Sequence, residues 1–194
     1  PEEHYLNAGV FALARQRIVW LMLLVFTGIL SGMVLQSFHT TIEKMVALMF
    51  FVPLLCGSGG NAGSQSSTTI VRALATGELH MGDALRALRK ELLVGLIVGV
   101  ALAVLAAGRA LLLRHTGENI TLNAELHLAL AVGLAMLATI VVAKVLGAAL
   151  PILFKRIGLD PAIMSAPFIA SILDILSVFV YLNLARWLVI PQLE

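Results

Sequence analysis

The sequence contains little charge, since only 12% of its 194 residues are Asp, Glu, Lys or Arg. A soluble domain carries about 25%. Thirteen basic and eleven acidic residues leave a net charge of only +2, far from the basic surface that nucleic-acid binding requires. The composition therefore excludes an ordinary water-soluble domain and predicts that nucleic acid is not a partner.

Groups for catalysis are also scarce. A single cysteine, Cys56, excludes an internal disulfide and a cysteine-cluster metal site. No Gly-rich run follows a strand pattern, which excludes the usual nucleotide-binding loops. The histidines fall in or near predicted loops or span ends, so none is placed to activate a serine within a membrane: His4, His39, His80, His115 and His127. We predict no enzymatic activity and no organic cofactor.

Apolar residues are in excess, at 60% of the chain and with a mean hydropathy of +0.99. A membrane-spanning helix needs about 20 mostly apolar residues, so the chain has room for about five. Five segments fit: residues 18–35, 45–75, 92–113, 126–154 and 161–190. We predict an all-α polytopic membrane protein whose residues 1–194 form one transmembrane domain in the lipid bilayer.

The orientation follows from the basic residues, because cytoplasmic loops carry an excess of Lys and Arg. With the N-terminus inside, the inner side holds Arg15, Arg17, Arg72, Arg86, Arg89, Lys90, Lys155 and Arg156, against Lys44, Arg109, Arg114 and Arg186 outside. We predict a cytoplasmic N-terminus and an external C-terminus. The connector 76–91 mixes leucines with basic residues, which indicates an amphipathic helix on the membrane surface.

Asp174 lies deep in the fifth predicted span, 13 residues after Pro161 and 16 before Ile190. At 1.5 Å per residue it is roughly 20 Å from one end and 24 Å from the other. A carboxylate near the midplane is costly and usually marks a substrate or ion pathway. The alternative is an ion pair with Lys144 of the fourth span.

The helical neighbours of Asp174 form a small and polar stripe, made of Pro167, Ala170, Ser171, Ser177 and Tyr181. Such a stripe around a midplane acid is typical of the wall of an aqueous pathway. Pro167 has no N–H, so the carbonyl of Ile163 loses its helical partner and becomes available as an oxygen ligand.

The second predicted span is interrupted by the run Gly57–Ser58–Gly59–Gly60–Asn61–Ala62–Gly63 and continues with Ser64, Gln65, Ser66, Ser67, Thr68 and Thr69. These residues supply uncharged oxygens, which suit Mg²⁺, Ca²⁺ or their water shells. The alternative is a close-packed helix crossing, where glycines admit a neighbouring helix. The residues alone favour neither interpretation.

The same residues resemble a known family. Pro53, the run 59–66 and the segment 72–78 resemble the signature of the MgtE magnesium transporters, and Gly158–Leu159–Asp160–Pro161–Ala162 agrees with it before the last span. The resemblance extends over essentially the whole chain.

The resemblance implies a homodimer in the cell inner (plasma) membrane, with a pore on the two-fold axis lined by the second and fifth spans. Each subunit then contributes Asp174 as a metal ligand and the backbone carbonyl of Ala170. The implied pore lining is Gly60, Asn61, Pro167, Ser171 and Ser177. Cytoplasmic regulatory domains, which precede the membrane part in this family, are absent from the chain.

The expected cargo is hydrated Mg²⁺, although charge alone does not separate it from Mn²⁺, Ca²⁺ or Co²⁺. Asp160 precedes Pro161 at a helix start and fits an N-cap, with a secondary cation site at the cytoplasmic mouth as the alternative. Rival functions are a proton-coupled divalent-cation transporter and, in another class, a membrane scaffold or membrane-embedded enzyme.

Overall fold

The computed structural model describes residues 9–112, 122–161 and 166–193. Within these ranges the chain is helical and contains no strand. Six α-helices follow in order: α1 (Val10–Ser37), α2 (His39–Lys44), α3 (Val52–Ala75), α4 (Ala84–Leu112), α5 (Leu122–Arg156) and α6 (Ala166–Leu188). Short 3-10 helices cover Val46–Phe51, Met81–Asp83 and Ile190–Gln192.

Five helices in the described part of the chain are long and apolar enough to cross a membrane. They are α1, α3 with the 3-10 turns before it, α4, α5 and α6. The prediction of an all-α polytopic membrane protein is therefore confirmed. The predicted start of the fifth span falls partly on residues 162–165, which lie outside the described residues.

Two details of the prediction are wrong. Helix α3 runs without a break through Gly57–Gly63, because an unbroken helix satisfies its own backbone hydrogen bonds where no water is available. The connector does not form a separate surface helix either. Arg86, Arg89 and Lys90 belong to the first turns of α4, since Arg, Lys, Glu and Leu are good helix formers and no breaker separates them from the span.

Glycines end α3 and α5. Gly77 and Gly158 have φ angles of 75° and 81°, which glycine adopts without steric cost. The following N–H groups reach back in the manner of a Schellman motif: Leu79 N–H donates to Ala73 O at 3.0 Å, and Leu159 N–H to Phe154 O at 2.9 Å. Both helices therefore stop where the sequence places a glycine.

Helix α5 lies at the centre of the bundle. It packs on α4, α3 and α6, and its residues Ala131, Val132 and Ala135 are completely buried. Helix α1 packs mainly on α6, where the rings of Trp20 and Phe168 lie 5.8 Å apart. The bundle thus positions α3 and α6 side by side against α5.

Candidate functional site

The glycines of α3 bring it into close contact with α5 and α6. A Cβ added to Gly60 would lie 3.1 Å from the Cβ of Ala170, and one added to Gly59 would lie 2.7 Å from Cγ2 of Thr139. A Cβ on Gly63 would lie 3.0 Å from Cγ2 of Ile169. The close-packing interpretation is therefore confirmed for these three glycines.

Asp174 lies half-buried on α6, beside α3. The thiol of Cys56 approaches the backbone oxygen of Asp174 at 3.9 Å, within hydrogen-bonding range for sulfur. One turn along each helix Gly60 meets Ala170, and further on the hydroxyl of Ser64 donates to Ala166 O at 3.3 Å. The two helices therefore run antiparallel, and Asn61 lies near the level of Ala170.

The other side of α3 is exposed and polar. Asn61, Gln65, Thr68 and Arg72 recur at spacings of three and four residues, so they share one helix face. A cavity of about 340 Å³ follows this face and is lined by Ser64, Gln65, Thr68, Thr69 and Arg72. A continuous hydrophilic stripe thus leads from Asn61 towards the end of α3. The oxygen-rich interpretation of the run applies to this side of the helix.

The stripe predicted on α6 divides into two parts. Pro167 is exposed and Ala170, Ser171 and Asp174 are half-buried; the Ser171 hydroxyl donates to Pro167 O at 2.9 Å. Ser177 is only 2% exposed, and Tyr181 is fully buried with its hydroxyl donating to Leu48 O at 3.0 Å. Ser177 and Tyr181 therefore face the helix packing. The carbonyl of Ile163, expected to be freed by Pro167, lies outside the described residues.

Lys144 does not pair with Asp174. Its ammonium group donates to Oε1 of Gln65 at 2.5 Å, and no ion pair joins it to Asp174 in the part of the chain that the structure describes. Asp174 lies beside Cys56, nine residues before Gln65 on α3, which corresponds to about 13 Å along a helix. The alternative in which Lys144 neutralises Asp174 is therefore wrong for this structure.

Glu91, near the start of α4, accepts a hydrogen bond from α3. The hydroxyl of Ser66, which is 1% exposed, donates to Oε2 of Glu91 at 2.5 Å. The signal was present in the sequence, because Glu91 precedes Gly95 and Gly99 at four-residue spacing on the face that packs on α5. Adjacent residues of α3, Gln65 and Ser66, are thus tied to α5 and α4.

Asp160 is exposed in the segment between α5 and α6. The helix start that it was predicted to cap involves residues 162–165, which are outside the described residues, so both hypotheses for Asp160 remain predictions.

In the part of the chain that the structure describes, five helices are long and apolar enough to cross a membrane, and the last contains a carboxylate. These features define a polytopic helical membrane protein. The family model for MgtE, described as a divalent cation transporter, matches residues 52–184, and the chain belongs to this family. It is 38% identical over 188 residues to a protein of Thermus thermophilus named magnesium transporter MgtE, an alignment covering 97% of this chain and 40% of that protein.

Two further relatives have the same name. The chain is 30% identical over 179 residues to the protein from Bacillus subtilis, and this alignment covers 92% of the chain and 38% of the relative. It is 32% identical over 177 residues to the protein from Enterococcus faecalis, and this alignment covers 89% of the chain and 36% of the relative. The chain therefore spans about two fifths of the length of these curated relatives.

Proposed function

We propose that this protein carries hydrated Mg²⁺ across the membrane through a pore formed by two copies of the chain. The observation that carries the proposal is the position of Asp174. It is a carboxylate within a membrane-spanning helix, half-buried beside α3, and no lysine of the described bundle neutralises it. A charge in such a place is stabilised by water or by a cation.

The pore lies on the two-fold axis of a homodimer, so each subunit contributes one Asp174. Two carboxylates across an axis match the charge of one divalent cation. In the absence of the cation they repel each other, which makes the pair selective for divalent over monovalent ions. Mg²⁺ loses its waters reluctantly, so the two side chains bind the ion through its hydration shell.

Neighbouring groups hold the water shell. The carbonyl of Ala170 accepts one helical hydrogen bond and keeps a second lone pair, which can accept a proton of an ion-bound water. Asn61 presents its amide on the exposed face of α3 near this level. Gly60 brings α3 close enough to α6 for both helices to line one path. Ser171 lines the path between Asp174 and Ala170, and Pro167 lines it beyond Ala170. Ser177 supports the path from the packed interior.

The polar stripe of α3 continues this path towards the cytoplasm. The N-terminus is cytoplasmic and the C-terminus external, in agreement with the excess of basic residues on the inner side. Asp160 at the inner mouth is a secondary cation site. The cargo is Mg²⁺ in keeping with the names of the relatives, with Mn²⁺, Ca²⁺ and Co²⁺ as competitors.

Transport is tested by reconstituting the purified chain in liposomes and recording Mg²⁺ influx with an internal dye. We expect influx well above that of protein-free liposomes and unchanged by a transmembrane pH gradient. Influx that rises with an opposing proton gradient would instead support proton-coupled exchange at Asp174. Absence of influx through folded, dimeric protein would contradict transport by this unit and support the scaffold alternative.

The dimer axis is tested by cross-linking. In a Cys56→Ser background, which keeps a donor for the backbone oxygen of Asp174, we expect Asn61→Cys to give covalent dimers with a short bifunctional thiol reagent. Arg109→Cys is the matched control, because it is exposed on α4, which packs mainly on α5. Covalent dimers are detected by gel electrophoresis. If only the Arg109→Cys control formed them, the two-fold axis would not lie beside Asn61.

A further inference from the structure

A small pocket between α5 and α6 contains two hydroxyl groups that lack a partner. It has a volume of about 80 Å³, and Thr139 and Ser177 line it together with apolar side chains. Thr139 is 4% and Ser177 2% exposed, and neither hydroxyl oxygen makes a hydrogen bond to the described residues. Buried polar groups in native proteins are nearly always hydrogen-bonded, so both hydroxyls require a ligand.

Three other hydroxyls in the membrane-spanning helices bond to their own helix. Thr27 donates to Leu24 O at 2.7 Å, Thr69 to Gln65 O at 2.9 Å and Ser171 to Pro167 O at 2.9 Å. This back-bonding is the common solution for Ser and Thr within a helix. Thr139 and Ser177 depart from it, although both lie well inside their helices.

The packing of α3 explains the departure of Thr139. A Cβ added to Gly59 would lie only 2.7 Å from Cγ2 of Thr139 and 3.1 Å from Oγ of Ser177. The methyl group of Thr139 is therefore held against α3. Because Cγ2 and Oγ1 occupy different staggered positions on Cβ, the hydroxyl has a different direction from this methyl group, and Thr139 also lines the pocket.

We propose that this pocket binds water, which bridges Oγ1 of Thr139 and Oγ of Ser177. A buried water needs about 10–15 Å³ of accessible space and two to four polar partners, and the pocket offers the space and two hydroxyls. Apolar side chains form the rest of the lining: Ala138, Val142, Leu173, Leu176 and Val180. A bare cation would find no carboxylate there, and an acyl chain would leave both hydroxyls without a partner. The proposal is independent of Mg²⁺ transport.

The first test compares Thr139→Val, Ser177→Ala and the double variant by thermal unfolding of the purified protein. If the hydroxyls share a water, each single change deprives the other hydroxyl of its partner. We expect each to lower Tm by about 2–4 °C, and the double variant to lose little more than either single variant. Thr27→Val is the matched control, because its hydroxyl bonds within α1 and its effect should add to that of Ser177→Ala.

A dry pocket would give the opposite result. Removing an unsatisfied hydroxyl would raise Tm in Thr139→Val, and the two effects would be additive. That outcome would overturn the proposal.

The second test detects the water directly and does not depend on the variants folding alike. X-ray radiolysis converts bound water into hydroxyl radicals, which label adjacent side chains. We expect labelling of Leu173, which lines the pocket and is 1% exposed, to exceed that of Leu182 in the wild-type protein. Leu182 is equally buried but does not line the pocket. The excess should be lost in the double variant. Equal labelling of the two leucines in the wild-type protein would mean that no water is bound.

Discussion

Replacing Asp174 with Asn is expected to reduce Mg²⁺ influx into liposomes to the level of protein-free liposomes. Asn has the same shape, so the packing of α6 on α3 and the contact of Cys56 with the backbone oxygen are retained. A dimer loses both carboxylates of the proposed site. Two unit charges 4 Å apart interact by about 4 kcal/mol at an effective dielectric constant of 20, and the energy is larger for a divalent ion. Because a factor of ten corresponds to about 1.4 kcal/mol, influx should fall by more than about a hundredfold.

Asp83→Asn is the matched control for this experiment. It also removes one carboxylate, but Asp83 lies in the 3-10 helix just before α4, 3.4 Å from Arg86. Both side chains are solvent-exposed there, so the ion pair contributes little. We expect wild-type influx from the control. Equal influx through Asp174→Asn and the wild type, with equal dimer content on size-exclusion chromatography, would show that Asp174 does not bind the transported ion.

The second large effect is expected from Gly147→Ala. A Cβ on Gly147 would overlap the carbonyl oxygen of Gly63 and lie 3.0 Å from its Cα. These are backbone atoms of α3, which cannot turn aside as a flexible side chain does. Overpacking of this kind costs about 1–3 kcal/mol, which corresponds to a lowering of Tm by roughly 2–12 °C for a protein of this size.

Because α3 must move to admit the methyl group, influx should fall together with Tm. Gly108→Ala is the control, since a Cβ at this position of α4 meets nothing within 4 Å. It should leave Tm unchanged or raise it slightly, as Ala favours a helix over Gly. A Tm for Gly147→Ala equal to that of the control would contradict the close contact of α3 with α5.

The five spans were predictable because membrane insertion depends on the summed hydropathy of about 20 consecutive residues. This sum is local and needs no knowledge of neighbouring helices. Asp174 stood out for the same reason, as a charge far from either end of an apolar segment. For the Gly-rich run, the predicted interruption of the span is wrong, whereas the alternative of a close-packed helix crossing is confirmed. In water glycines weaken a helix, whereas here Gly59, Gly60 and Gly63 permit close packing of an unbroken α3.

The partners of the buried polar side chains were not predictable. Lys144 pairs with Gln65 and Glu91 with Ser66, across separations of 79 and 25 residues. Opposite charge made an ion pair of Asp174 with Lys144 the alternative to an ion pathway. Charge does not show, however, which turns of two helices lie at the same level. The antiparallel contact of α3 and α6 set Asp174 beside Cys56, about 13 Å along α3 from the Lys144 contact.

The sequence by itself determined that this chain crosses the membrane with five helices and that the last contains a carboxylate near its middle. It gave the approximate position of each helix in the chain but not its exact ends. Only the tertiary structure decided which side of each helix faces its neighbours. Helical spacing relates Asp174, Ser171 and Ser177 to one another, but it does not set the rotation of α6 in the bundle. That rotation follows from the packing of Gly60 on Ala170 and of Gly59 beside Ser177, which buries Ser177 and leaves Asp174 half-exposed.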